Sequence, residues 1–202
     1  MNLEASDLLP DERFSVSKNA NAVIKISDYG LTELPAMKQA KYYGFGGKEA
    51  IGGKLHLSNY RLLFKSHQVN RAKGQFSVFL PTVQELQDRS RLLSKQLHIS
   101  TPTQRFEFVV WGVPELIANI SDSKRRLTAE QVSYLRDVVP RQYGEEIGRG
   151  LQVDPSVEKW MKRLPELADL TQTSLDLAQD TLGIVALINV IDLINSFPKG
   201  DQ

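Results

Sequence analysis

The 202-residue chain contains no cysteine. That absence excludes disulfides, thiolate zinc sites, iron–sulfur clusters and cysteine nucleophiles. Histidine is scarce too: His56, His67 and His98 are the only three. They fall on separate strand candidates with no paired carboxylate or metal-like spacing, so outward strand positions account for them. Long hydrophobic runs are missing. The most apolar stretch, Leu182 to Ile194, contains Asn189 and Asp192 and is shorter than the ~20 residues a spanning helix needs, so it reads as a buried or interface helix. Met1 to Pro10 lacks a basic region followed by an apolar run, which argues against a secretory signal and for a cytoplasmic location, at most peripheral to a membrane.

Catalytic signatures are equally sparse. Gly-x-Ser-x-Gly does not occur. Gly47 and Gly52 have the phosphate-loop interval, but Gly53-Lys54 follows where Lys-Ser/Thr is required, and Gly44-Phe45-Gly46 runs into Gly47-Lys48-Glu49, which breaks the dinucleotide fingerprint. These glycines read as a tight connection between strands and a bulge. The expectation is therefore a non-enzymatic chain with no catalytic residue, no metal and no cofactor.

What is present is an uneven charge distribution. Residues 1–120 carry 15 Lys+Arg against 11 Asp+Glu, a net of +4, and residues 121–202 carry 10 against 13, a net of −3. From Lys38 to Lys73 eight basic residues face one acid, Glu49, whereas Leu164 to Gln202 has one base and six acids. Such a basic segment attracts phosphate groups, although charge runs are often only solvated faces.

Between Gly52 and Trp111 the apolar period is two, in short runs broken by turn signals, the pattern of an antiparallel sheet or barrel. Lys54–Ser58 and Arg61–Lys65 read as neighbouring strands, with Leu55, Leu57, Leu62 and Phe64 on inner faces. Phe76–Leu80, Gln96–Ser100 and Arg105–Trp111 follow, the last two joined by a Thr101–Gln104 loop; Ala22–Ile26 and Met37–Tyr43 are weaker strand candidates. Pro114 then starts a helix with Leu116, Ile117 and Ile120 on one stripe. Thr128 and Gln131 form a capping box with a Leu127/Val132 staple, and Val132, Leu135 and Val139 continue the apolar face. Asp154-Pro155 restarts a helix after Gly148-Arg149-Gly150. Leu164–Ile194 is broad-faced, suited to covering a core or to pairing with a second copy.

The segment Lys41 to His67 resembles the GRAM domain family, most specifically in Gly53-x-Leu55-x-Leu57-Ser58-Asn59-x-Arg61-Leu62-x-Phe64. Ser58 stands where that family usually has Thr, which keeps the hydroxyl. The resemblance spans roughly residues 20–122. It implies an α+β fold, a pleckstrin-homology-like antiparallel β-barrel of two near-orthogonal sheets capped by a helix, followed here by a helical C-terminal extension. The implied division is an N-terminal segment 1–19 with a disordered character, a barrel 20–122 and a helical extension 123–202. Proteins of that fold bind lipid headgroups in some cases and polypeptide in others, and fold alone does not choose.

These readings converge on a binding module that recognises an anionic lipid headgroup or membrane surface through the basic 38–73 segment. The candidate ligand-binding residues are Lys41, Tyr42, Tyr43, Phe45, Lys48, Lys54, Lys65, Arg71 and Lys73, in which aromatics enter the headgroup layer while cations meet phosphates. Packing of the tyrosines and Phe45 in a barrel mouth explains the aromatics equally well. A net charge of +1 and inward-pointing Phe106 and Phe108 make no case for nucleic acid. The 164–194 region is expected to drive homodimerisation, and the alternative function is a protein-interaction adaptor without lipid affinity.

Overall fold

A computed structural model describes residues 3–31, 47–68, 70–92, 94–148 and 150–155. Eight strands form one antiparallel sheet: β1 (Phe14–Lys25), β2 (Lys48–Ser58), β3 (Arg61–Ser66), β4 (Ala72–Phe79), β5 (Glu85–Asp88), β6 (Gln96–Ser100), β7 (Arg105–Val110) and β8 (Leu151–Val153). Their order is β5-β6-β7-β1-β2-β3-β4-β8. The long β1 is the centre: its whole length pairs with β2, and Ala20–Val23 pair with β7 on the other side.

The alternation read from the sequence places one continuous core on one face. Leu55 lies opposite Phe64, Leu57 opposite Leu62, Phe64 opposite Phe76 and Leu97 opposite Phe108. Ala20 and Ala22 of β1 face Val110 and Phe108, so small residues at the centre leave room for the rings beside them. The sheet curls around these rings. Phe76 and Phe106 stack with centroids 5.6 Å apart although three strands separate β4 from β7 in the sheet. Helix α1 (Val113–Arg125) lays Val113, Leu116 and Ile120 on the same core, and Pro114 occupies its first turn.

The expected barrel of two near-orthogonal sheets is not what forms. The curl stops short of closure: among the described residues β5 and β8 terminate a single open sheet and each has one strand neighbour. Nor do the described residues beyond 123 make a helical extension. They comprise α2 (Ala129–Ser133), a π-helical stretch (Tyr134–Val138) and α3 (Val139–Gly148), after which Leu151–Val153 returns to the sheet as β8 against Ala72–Gly74. A three-residue strand carries too little period to be read from sequence, and the helical signals on either side of it hid it. Gly74 makes this contact sterically feasible. Its φ is +131°, and a Cβ there would lie 2.4 Å from the Gly150 carbonyl oxygen.

The Thr128/Gln131 capping box forms as expected: the Gln131 amide donates to Thr128 Oγ1 at 3.2 Å and the Thr128 amide to Gln131 Oε1 at 3.0 Å. The π-helical turn that follows has a local cause. Pro140 has no N–H and its ring crowds the carbonyl four residues back, so the Val139 amide bonds one residue further back, to the Tyr134 carbonyl. Residues 3–19, part of the segment set apart before the barrel with a disordered character, belong to the fold: β1 begins at Phe14, and the preceding turn buries Asp7, Leu9 and Glu12. Leu9 joins Tyr60, Leu135 and Val139 in a second, smaller apolar cluster.

Candidate functional site

The family-like motif is occupied by structural work at the β2–β3 turn. Ser58 Oγ accepts from the Tyr60 and Arg61 amides, both at 3.0 Å, and donates to Glu12 Oε1 at 2.7 Å. Asn59 Oδ1 accepts from the Arg13 amide at 2.7 Å. Arg61 donates from Nε and Nη2 to the two Glu12 oxygens, each at 2.9 Å, and also to Ser77 Oγ and the Asp7 carbonyl. Gly53 is required because a Cβ there would sit 2.4 Å from the Lys65 carbonyl and 2.7 Å from the Phe64 ring.

Among the described residues of the basic segment, five cations are paired with carboxylates distant in the chain. Lys48 Nζ bonds Glu107 at 2.6 and 2.8 Å, Lys65 Nζ bonds Asp7 at 2.7 Å, and Lys73 Nζ bonds Asp154 at 2.8 Å. Arg71 is fully buried against Glu49, with Nε 3.1 Å from each carboxylate oxygen. Burial alone would raise the Asp7 carboxyl, but the Glu4 amide and Lys65 together outweigh it and hold it below the ordinary carboxylate value. Of the expected ligand-binding residues, only Lys54 is described without an ion pair. Arg71 therefore cannot meet an external anion, and Lys48, Lys65 and Lys73 already have anions. Lys41, Tyr42, Tyr43 and Phe45, the Met37–Tyr43 strand and the 164–194 region lie outside the described residues.

The histidines do not gather. His56 is buried on β2, with Nδ1 2.6 Å from Ser17 Oγ; burial, then Lys54, pushes its pKa down. His98 on β6 stands opposite Glu107 on β7, and burial lowers its pKa as well.

Positive charge outside ion pairs appears elsewhere, on the β5–β6 hairpin, where Lys95 feels the Asp88 carboxylate. Its turn is closed by the Arg91 amide donating to the Ser94 carbonyl at 2.7 Å and the Ser94 amide to the Arg91 carbonyl at 3.2 Å. Leu92 occupies a corner of that turn and is 90% exposed. Turn corners favour Gly, Asn and Asp, so an exposed leucine there violates the local rule with no folding gain. Arg89, Arg91 and Lys95 flank it. Among the described residues none of the three forms an ion pair, and Arg89 Nε donates to Gln87 Oε1 at 2.6 Å. Asp88 is committed to the turn, its carboxyl lowered by the Ser90 hydroxyl and amide. Trp111, also partly exposed, stands at the same end of the sheet, because the preceding Val110 amide bonds the Lys95 carbonyl at 3.0 Å. Sequence reasoning passed over this hairpin because its three cations are fewer than the eight of the 38–73 segment; only the pairing distinguishes them.

Two hollows accompany these features. An apolar groove of about 520 Å³ lies between the end of β4 and helices α2 and α3. A wider open cleft of about 850 Å³ has the Lys48–Glu107 ion pair in its wall together with Lys25, Asp28 and Arg105. Among the described residues no helix is long and apolar enough to cross a membrane. No family model and no curated protein matches the chain. Among solved structures it is similar to the C-terminal domain of an unknown protein from Leishmania infantum, at 12% identity and a TM-score of 0.41, over 58% of this chain and 88% of that one.

Proposed function

We propose that the chain is a non-enzymatic binding module that meets an anionic lipid surface through the β5–β6 hairpin. The observation that carries this reading is Leu92, 90% exposed at the turn and flanked by Arg89, Arg91 and Lys95, none of which forms an ion pair among the described residues. An apolar tip can enter the headgroup layer while the cations behind it meet phosphates. Each cation near such a surface contributes about 1 kcal/mol, and burying a leucine about 1.5–3 kcal/mol. The contact is therefore weak by itself and sensitive to salt.

Cosedimentation with vesicles containing or lacking anionic lipid tests it. The wild type binds anionic vesicles at 0.1 M salt and releases them toward 1 M, as the Debye length falls from ~10 to ~3 Å. Arg89→Glu with Arg91→Glu abolishes binding, Leu92→Ser weakens it, and Lys54→Glu leaves most of it. Equal binding to neutral and anionic vesicles at low salt would overturn the lipid reading, leaving the adaptor reading.

A further inference from the structure

The groove beside α2 and α3 is lined by Phe79, Pro81, Val132, Leu135, Val139 and Ile147, with Arg136 as its charged member. Its volume of about 520 Å³ lies within the ~300–1,000 Å³ typical of ligand pockets and admits several side chains. Pro140 and the π-helical turn shape one wall, a helix irregularity that often accompanies function. The apolar cluster beneath is thin, four buried residues from Leu9 to Val139, so this side of the fold has little cover of its own.

We propose that the groove receives this chain's own Leu182–Ile194 segment. Ten of those thirteen residues are apolar, the exceptions being Gly183, Asn189 and Asp192. Such a segment requires cover on more than one side, and an apolar groove bordered by helices is the surface that helical peptides fill. The chain reaches it readily. β8 delivers Pro155 to the Ala72 end of β4, and the groove lies at the Phe79 end, about 23 Å away at ~3.3 Å per residue. The 26 residues between Pro155 and Leu182 cover about 39 Å even if fully helical. Arg136 at the groove is already paired with Asp137, Nη2 to Oδ2 at 2.7 Å, so apolar burial and reach, not charge, select the segment. Occupancy in cis makes the C-terminal region part of the fold, in place of the homodimer expected for it.

The absence of cysteine gives a clean test in the full-length chain. Gly144 lines the groove, and a Cβ there meets nothing within 4 Å, so Gly144→Cys places a thiol without disturbing packing. It is combined with single cysteines scanned from Leu182 to Ile194 and treated with a short bis-maleimide at low protein concentration. Expected are intrachain adducts whose yield recurs every three to four positions and greatly exceeds that of a Thr103→Cys probe on the exposed β6–β7 loop. Adducts at twice the chain mass would overturn the proposal in favour of a second copy. Equal yields from the two probes, or no adducts, would overturn it as well. Vesicle binding through the hairpin is read separately, so failure of either proposal leaves the other standing.

Discussion

Arg61 and Glu12 lie 49 residues apart and meet through two hydrogen bonds of 2.9 Å, with side chains 5% and 0% exposed. The pair ties the N-terminal segment to the β2–β3 turn. Every Glu12 oxygen is used: Oε1 also accepts from Ser58 and Oε2 from the Leu9 amide at 2.8 Å. A buried pair this fully hydrogen-bonded is costly to break from one side, because the survivor keeps its charge without a partner.

Glu12→Ala is therefore expected to lower unfolding free energy by about 3–5 kcal/mol, measured by urea denaturation. Arg61→Ala should cost a similar amount, and the double variant much less than the sum. Additive losses would show that the two residues act independently.

A fragment spanning residues 20–122 removes Asp7 and Glu12, the first six residues of β1 and the β8 edge. Arg61 and Lys65 then lose their carboxylates, so the fragment should melt with reduced cooperativity relative to the full chain. A sharp calorimetric transition equal to that of the full chain would refute this.

Gly53→Ala places a methyl against the Lys65 carbonyl and the Phe64 ring at the centre of the sheet. The expected loss is about 1–3 kcal/mol. Gly74→Ala acts more locally: it should release β8 and accelerate amide exchange at Leu151–Val153 while β2 and β3 stay protected. Uniform acceleration across the sheet would contradict a local role.

Both His56 and His98 are held below their ordinary value of 6.5 by burial. Below pH 6.5 the unfolded chain takes up protons that the folded chain refuses, so stability falls with pH until the folded-state pKa values are passed. His56→Gln should flatten this slope. Asp7, also depressed, adds a separate loss as pH falls below its ordinary 3.8. A chemical-denaturation series from pH 7 to 3 distinguishes the two steps.

The sequence by itself determined the local elements. Alternation identified β2, β3, β6 and β7, because a half-buried strand must place apolar residues two apart. Thr128 with Gln131, and Pro114, marked helix starts because the orphan amides of a first turn demand those partners. Motif residues Gly53, Ser58, Asn59 and Arg61 stood out as well: Ser58, Asn59 and Arg61 organise the β2–β3 turn, and Gly53 lets β2 pack against Phe64 and the Lys65 carbonyl. Tertiary structure alone decided the rest. Sequence counts neighbours along the chain, so the eight-to-one excess of base from Lys38 to Lys73 stood out; in space, Arg61, Lys65, Lys48 and Lys73 of that segment meet Glu12, Asp7, Glu107 and Asp154 from other elements. The same physics left Arg89, Arg91 and Lys95 without ion pairs around an exposed Leu92. Closure was likewise beyond reach of the pattern, since period two specifies half-buried strands but not how the sheet they form curls or whether its two end strands meet.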